Sequence, residues 1–150
     1  GTPEQVEKLG KLAEAMMMGS LCGLGQTAPN PVMSTLRYFR DEYIAHVEDK
    51  NCPAKVCKAL IKYSINPDKC PGCMLCLKNC PTGAIKGETK HIHLIDQALC
   101  TKCGECLNIC PPKISAVVKL SGKEARELQS LNAPIPVKEW RSRKAQETGT

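Results

Sequence analysis

Cys70-Pro-Gly-Cys73-Met-Leu-Cys76-Leu-Lys-Asn-Cys80-Pro81 returns thirty residues later as Cys100-Thr-Lys-Cys103-Gly-Glu-Cys106-Leu-Asn-Ile-Cys110-Pro111. Both copies fit C-x₂-C-x₂-C-x₃-C-P without a departure. Thiolates so closely spaced are soft metal ligands. Zinc sites usually pair two C-x₂-C units and have no use for a third and fourth cysteine in each repeat. A secreted disulfide scaffold would also be rich in cysteine. Here, however, the total of eleven is odd, the opening residues carry no signal-peptide pattern, and eight cysteines fall into two tight clusters. A reducing cytoplasm, with thiolates as metal ligands, is the better account.

The spacing is that of the bacterial two-cluster ferredoxins, in which the fourth cysteine of each run ligates the other cluster. The expected assignment is crossed. Cys70, Cys73, Cys76 and Cys110 hold one [4Fe–4S] cluster, and Cys100, Cys103, Cys106 and Cys80 hold the second. Pro81 and Pro111 are expected to end the two ligand helices, because proline cannot continue the hydrogen-bond ladder. Short β-prone runs at 62–65, 84–86, 91–95 and 116–119 give strand–helix–strand twice. The thirty-residue period reads as an internal duplication. The expected fold is therefore α+β, a two-cluster ferredoxin domain over 61–120. The halves differ at Pro112-Lys113-Ile114-Ser115, which replaces the shorter Thr82-Gly83 link. Lys69, Lys78 and Lys102 lie beside the ligands and read equally as tuning charges or as solvated lysines.

The bulk composition agrees with a metal-filled interior. Hydrophobic residues make up 42% of the chain, and its five aromatics are Tyr38, Phe39, Tyr43, Tyr63 and Trp140. So few large side chains make a thin core, and small domains commonly complete such cores with metals. The formal charge of +6 is spread along the chain. It suits a solvated surface or an acidic docking partner better than nucleic acid, and bound clusters would reduce it. No apolar stretch approaches the length needed to cross a bilayer.

Ahead of the cysteine repeats, Thr2-Pro3-Glu4-Gln5 has the form of a helix start, with Thr2 as N-cap and Gln5 completing a capping box. Val6, Leu9, Ala13 and Met16 then share a face. After a break over 19–29, Asn30-Pro31 opens a second helix striped by Val32, Leu36, Phe39 and Tyr43. Helices of this size cannot enclose a core unaided, so over 1–43 the chain reads as part of something larger. Within this region, Ser20-Leu-Cys22-Gly-Leu-Gly-Gln-Thr-Ala-Pro-Asn-Pro31 and Thr35-Leu-Arg-Tyr-Phe-Arg40-Asp-Glu-Tyr43 carry a specific likeness. They resemble the NADH-oxidising flavoprotein subunit of respiratory complex I. They resemble more closely still the beta subunit of electron-bifurcating, NAD- and ferredoxin-dependent [FeFe]-hydrogenases, which ends in a two-cluster ferredoxin domain.

The resemblance implies that Cys22 is the fourth ligand of a further [4Fe–4S] cluster in a helical bundle. The other three ligands belong to an upstream motif that this sequence lacks, as it lacks the segments that bind FMN and NAD. On its residues alone, Cys22 reads as a buried structural thiol. The implied partners are the other subunits of an oxidoreductase complex, together with ferredoxin or another one-electron carrier. The implied role is to relay single electrons, with 44–60 as a hinge that gates them. A free ferredoxin with an N-terminal extension, the same subunit type in a formate dehydrogenase or transhydrogenase, and a structural docking module are the alternatives.

Between the two parts lies His46-Val-Glu-Asp-Lys-Asn-Cys52-Pro-Ala-Lys-Val-Cys57. His46, Cys52 and Cys57 read either as three ligands of a structural zinc site or as free cysteines near a surface histidine. His91 and His93 read as ordinary strand residues sharing a face. In the last part, 121–150, Ser121 to Glu124 fits a capping box before a short helix with Ala125 and Leu128, stopped by Asn132, Pro134 and Pro136. The polar, basic stretch 139–150 is expected to be extended, with Trp140 packed within this chain.

Overall fold

The computed structural model describes residues 1–127 and 133–147. The chain divides into two compact units, Gly1–Leu60 and Ile61–Thr150.

The first unit is helical. Helix α1 spans Pro3–Gly19, with Thr2 as N-cap and a complete capping box between Thr2 and Gln5. Val6 and Ala13 form its buried stripe, while Leu9 and Met16 on the expected face are exposed. The expected break contains a short helix, α2 (Gly23–Thr27), with Cys22 as its N-cap. The second expected helix is two: α3 (Asn30–Tyr38) and α4 (Arg40–Val47) meet at Phe39, whose backbone leaves the helical region. The Ser34 and Thr35 hydroxyls donate back to the carbonyls of Asn30 and Pro31. Such bonds bend helices. Thr35 also meets the Tyr43 hydroxyl at 2.9 Å, which fastens α4 to α3 across the bend.

The second unit is built around two antiparallel strand pairs. Strand β1 (Ile61–Ile65) is followed by α5 (Leu75–Lys78), β2 (Ile85–Lys86), β3 (Leu94–Ile95), α6 (Glu105–Ile109) and β4 (Val117–Ser121). Strand β1 pairs with β4 in the register Ile61↔Ser121 to Ile65↔Val117, and β2 pairs with β3 through Ile85↔Ile95. Ile61, Tyr63 and Ile65 alternate inward along β1 and join Ile85, Ile92, Ala116 and Val117 in the core. Cys70 and Cys76 belong to that core too, so the thiols occupy positions that aliphatic side chains would otherwise fill.

The hydrogen bonds that shape the two motifs repeat at the thirty-residue offset. Asn66 N–H donates to Ala116 O and Asp96 N–H to Ala84 O, both at 2.7 Å. Cys70 N–H donates to Asn66 O and Cys100 N–H to Asp96 O. The side chains of Asn66 and Asp96 accept from the N–H two residues on, at 2.9 and 3.0 Å. Each motif helix opens from a left-handed residue, Met74 at φ 67° and Gly104 at φ 89°.

After β4 comes α7 (Gly122–Glu127); Leu128 and Asn132 lie outside the described residues. Residues 135–137 then run beside 90–92, with Ile92 N–H donating to Ile135 O and Val137 N–H to Lys90 O. The stretch expected to be extended after 139 is instead helical, α8 (Val137–Glu147). Its Arg, Lys, Glu, Ala and Gln residues are good helix formers whatever their periodicity. Glu139 and Arg143 pair one turn apart. Asp68 anchors the helix, accepting the Trp140 indole N–H at 2.9 Å and pairing with Lys144. Trp140 packs on the core of its own unit, as expected.

Candidate metal centres

Asn66 sets the turn that leads into the first motif. The loop then passes so close to the backbone of His91 that a Cβ on Gly72 would lie 2.6 Å from His91 N. Glycine is the residue that tolerates both this approach and a φ of 72°. Helix α5 turns Cys76 inward, and Cys110 arrives from the far motif as the C-cap of α6. Cys70, Cys73, Cys76 and Cys110 together line a small cavity walled by Ile65, Ala116 and Val117. Cys70 and Cys76 are buried, while Cys73 lies at the surface.

The second cavity is lined by Cys100, Cys103, Cys106 and Cys80, with Ala84, Ile85 and Ile95 beside them. Tyr63 forms part of its wall, and a Cβ on Gly104 would come within 3.0 Å of the Tyr63 hydroxyl. Each cavity thus takes three cysteines from one motif and the last cysteine of the other.

The electrostatics fit an iron–sulfur core. Burial first, and then the neighbouring thiols, push Cys76 up to about 12 and Cys106 up to about 11. Bare thiolates crowded into apolar walls are costly, and bound iron would supply the positive charge that offsets them. Cys80 differs. Burial raises its pKa, but the Thr82 hydroxyl and the N–H groups of Thr82, Ala84 and Ile85 together lower it below the ordinary thiol range. Those donors aim at a sulfur, as the environment of a cluster ligand does.

One side chain near the first cavity was not singled out by its sequence context. His93 is fully buried, lines the cavity and places Nδ1 3.7 Å from Cys76 Sγ and 4.0 Å from Cys70 Sγ. Its Nε2 lies 3.3 Å from Met74 Sδ. Burial lowers its pKa. His91 takes a different environment: it is only partly buried and bridges to Pro136. The available signal was the thirty-residue offset, which aligns His93 with Tyr63, the wall of the other cavity.

In the first unit, the ligand atoms of His46, Cys52 and Cys57 all lie within 4.8 Å of one another. Helix α4 presents His46, whose Nδ1 is 2.7 Å from Glu42 O. A ring that donates Nδ1–H to a carbonyl keeps its Nε2 lone pair free for a metal. That Nε2 is 3.5 Å from Cys57 Sγ. Cys52 is buried, and its Sγ accepts the N–H groups of Val56 and Cys57 at 3.4 and 3.5 Å. These bonds, led by that from Cys57, lower its pKa to about 6 against the effect of burial. A buried thiol whose ionisation is favoured by backbone N–H groups, beside an oriented imidazole, is a soft-metal donor set.

Cys22 stands apart from both groups. It is exposed, and its Sγ accepts Gly25 N–H at 3.4 Å. Leu21, Leu24 and Met18 around it are exposed as well, so the buried setting expected of a structural thiol is not what the described residues provide. Among the described residues no helix is long and apolar enough to cross a membrane.

Comparison with known proteins divides the chain in the same way. Residues 1–46 match the NADH-ubiquinone oxidoreductase-F iron-sulfur binding region, and residues 69–114 match the 4Fe-4S dicluster domain. The chain is 50% identical over 93 residues to the NADP-reducing hydrogenase subunit HndC of Solidesulfovibrio fructosivorans, which covers 62% of this chain and 19% of that subunit. It is 45% identical over 53 residues to the F-type subunit of the NADH-quinone oxidoreductase of Mycobacterium tuberculosis, covering 35% of this chain and 12% of that one. It is 52% identical over 44 residues to the B-type subunit of the ion-translocating oxidoreductase complex of Methanosarcina acetivorans, covering 29% of this chain and 16% of that subunit. The chain therefore spans about a fifth or less of the length of these relatives.

Proposed function

We propose, from an F-type iron–sulfur region joined to a 4Fe-4S dicluster domain, that this chain relays single electrons within a longer flavin-dependent, NADH-oxidising subunit of hydrogenase type. In this reading Cys70, Cys73, Cys76 and Cys110 hold one cluster, and Cys100, Cys103, Cys106 and Cys80 hold the other. The observation that carries it is the composition of the two cavities, each lined by four cysteines in this crossed arrangement. The repeated hydrogen bonds at the thirty-residue offset support the finer fold assignment, a duplicated bacterial-type two-cluster ferredoxin.

Bound [4Fe–4S] clusters would supply one-electron chemistry at potentials that the protein adjusts. The residues of the chain hold them, exclude water with Ile65, Val117, Ile85 and Ile95, and place hydrogen-bond donors against the sulfurs. Two four-cysteine cavities in one small unit favour rapid exchange between the clusters. The flavin and nicotinamide chemistry belongs to parts of the longer subunit. Electron bifurcation, a ferredoxin partner and a cytoplasmic setting follow from the resemblance to hydrogenase beta subunits.

Cys22 is assigned to a third cluster, completed by three cysteines from elsewhere in that subunit. The exposed Leu21, Leu24 and Met18 support this, because an apolar patch beside a ligand calls for covering protein. His46, Cys52 and Cys57 are assigned to zinc, with the fourth donor still to be identified. Metal there would stabilise a segment, 44–60, that has little core of its own, and would let it serve as a hinge.

The test is metal and sulfide analysis of anaerobically prepared protein, with EPR of the reduced sample. The reading requires about eight iron and eight sulfide per chain and spin-coupled signals from two neighbouring cubanes. Four iron or fewer with several zinc per chain would refute it. Reduction without any paramagnetic signal would leave only a structural metal module.

A further inference from the structure

The two cavities are matched in their cysteines but not in the residue that closes each wall. Tyr63 and His93 occupy corresponding places thirty residues apart, as do Gly104 and Met74. In one half the long phenol reaches over Gly104, where there is no side chain to obstruct it. In the other the shorter imidazole meets Met74 Sδ, so the methionine fills the space that the hydroxyl takes in the first. The exchange preserves bulk but changes chemistry. Among the described residues the Tyr63 hydroxyl makes no hydrogen bond to a cysteine sulfur. His93, by contrast, directs Nδ1 at two of them.

Its ring is held in that orientation. A Cβ on Gly87 would collide with His93 Cδ2, so the absence of a side chain there is what admits the imidazole. At 0% exposure the ring has no water to turn toward. An imidazole nitrogen facing thiolate sulfur is favourable as N–H and repulsive as a lone pair, so the sulfurs themselves select the Nδ1–H form. Nε2 then faces a thioether, which makes weak demands of its partner.

Resting on the two-cluster reading above, we propose that His93 is a positioning residue that donates Nδ1–H to the Cys76 and Cys70 sulfurs, stabilises the reduced state of the cluster they hold, and thereby raises that cluster's potential above the one the cysteines alone would set. Reduction adds negative charge to the cluster and its thiolates. A donor fixed on those sulfurs therefore stabilises the reduced form more than the oxidised one. The Tyr63 cavity is tuned by different groups, with the Thr82 hydroxyl 3.7 Å from Cys80 Sγ.

EPR-monitored redox titration of the full chain under anaerobic conditions tests this, with iron and sulfide measured on each sample. His93→Leu removes the donor, and His93→Asn keeps an N–H near the position of Nδ1. The expected result is a shift of about tenfold toward the oxidised form at one cluster in His93→Leu, equivalent to 59 mV for a one-electron couple. The other cluster should be unchanged, and His93→Asn should stay close to the wild type. Fully loaded His93→Leu with both potentials unmoved, or an equal shift in both variants, overturns the proposal. If the leucine variant fails to load, wild-type protein containing ¹⁵N-histidine still decides. A hyperfine coupling from histidine nitrogen to one reduced cluster is required, and its absence is a refutation. Wild-type protein with too little iron for two clusters would instead refute the underlying two-cluster reading.

Discussion

The crossed arrangement of cysteines makes a prediction that sequence neighbours alone would not. If each cavity holds a cluster, Cys110 serves the same cluster as Cys70, forty residues away, and not that of Cys100, Cys103 and Cys106 beside it. The perturbation is a set of alanine substitutions: Cys70→Ala, Cys100→Ala and Cys110→Ala, singly and in the two pairs that contain Cys110. Each single change should remove one cubane's signal and up to about four of roughly eight irons. The pairs separate the models, because coupled residues give non-additive losses. Cys70→Ala with Cys110→Ala should cost no more than either alone, since both strike the cavity walled by Ile65 and Val117. Cys100→Ala with Cys110→Ala should cost both clusters, since Cys100 lines the other cavity, walled by Ile85 and Ile95. The assay is iron and sulfide per chain, with spin quantitation of the reduced [4Fe–4S] signal. Spin separates a lost cubane from one trimmed to a three-iron form. The reverse pattern, in which Cys100 and Cys110 behave as one site, would refute the crossed reading of the cavities.

Three further outcomes are expected. Stripping the iron should unfold the second unit rather than leave it hollow. Without iron the thiols of Cys76 and Cys106 would be left crowded against apolar walls with no compensating charge, and metal binding supplies folding energy in so small a unit; circular dichroism that keeps its native shape and melting temperature after chelation would contradict this. Substituting alanine for His46, Cys52 or Cys57 should remove about one zinc per chain and lower the thermal stability of the first unit while leaving iron content unchanged; a zinc content indifferent to all three changes would dismiss the site. Asp68→Ala should release α8 at a cost of only about 1 kcal/mol, because the Lys144 pair is exposed and the indole bond is the main loss. Fluorescence of Trp140, the lone tryptophan, should shift to the red as the helix leaves; an unchanged spectrum would show that packing alone holds it.

What the sequence made legible was local. Thr2 with Gln5 announces a capping box, and the box forms. The β-prone runs become β1 to β4, with 91–95 reduced to Leu94–Ile95, and β1 shows the alternation of inward and outward residues that a half-buried strand requires. The family matches over 1–46 and 69–114 fall where the two resemblances were read. The bend at Phe39 was hidden because the apolar stripe runs on through it, while the hydroxyls that turn back at Ser34 and Thr35 leave no mark on hydrophobic periodicity. Helix α8 was hidden for the opposite reason. It has almost no apolar stripe, and it is held by Asp68 from a turn far back in the chain.

His93 is the most instructive omission, because its context in sequence is that of any strand residue. Its meaning comes from the loop and helix α5 that bring Cys70 and Cys76 to it and from Gly87, whose missing side chain lets the ring enter. Reading the repeat as a repeat exposes it. The offset that aligns the cysteines also aligns His93 with Tyr63 and Met74 with Gly104, so a large residue in each half stands against a complementary one. A Tyr at 93 would compete with Met74 for one space, and a Met at 104 would compete with the Tyr63 hydroxyl. Neither half can therefore drift toward the other by one substitution, and a chemical difference between the two cavities is held in place by packing.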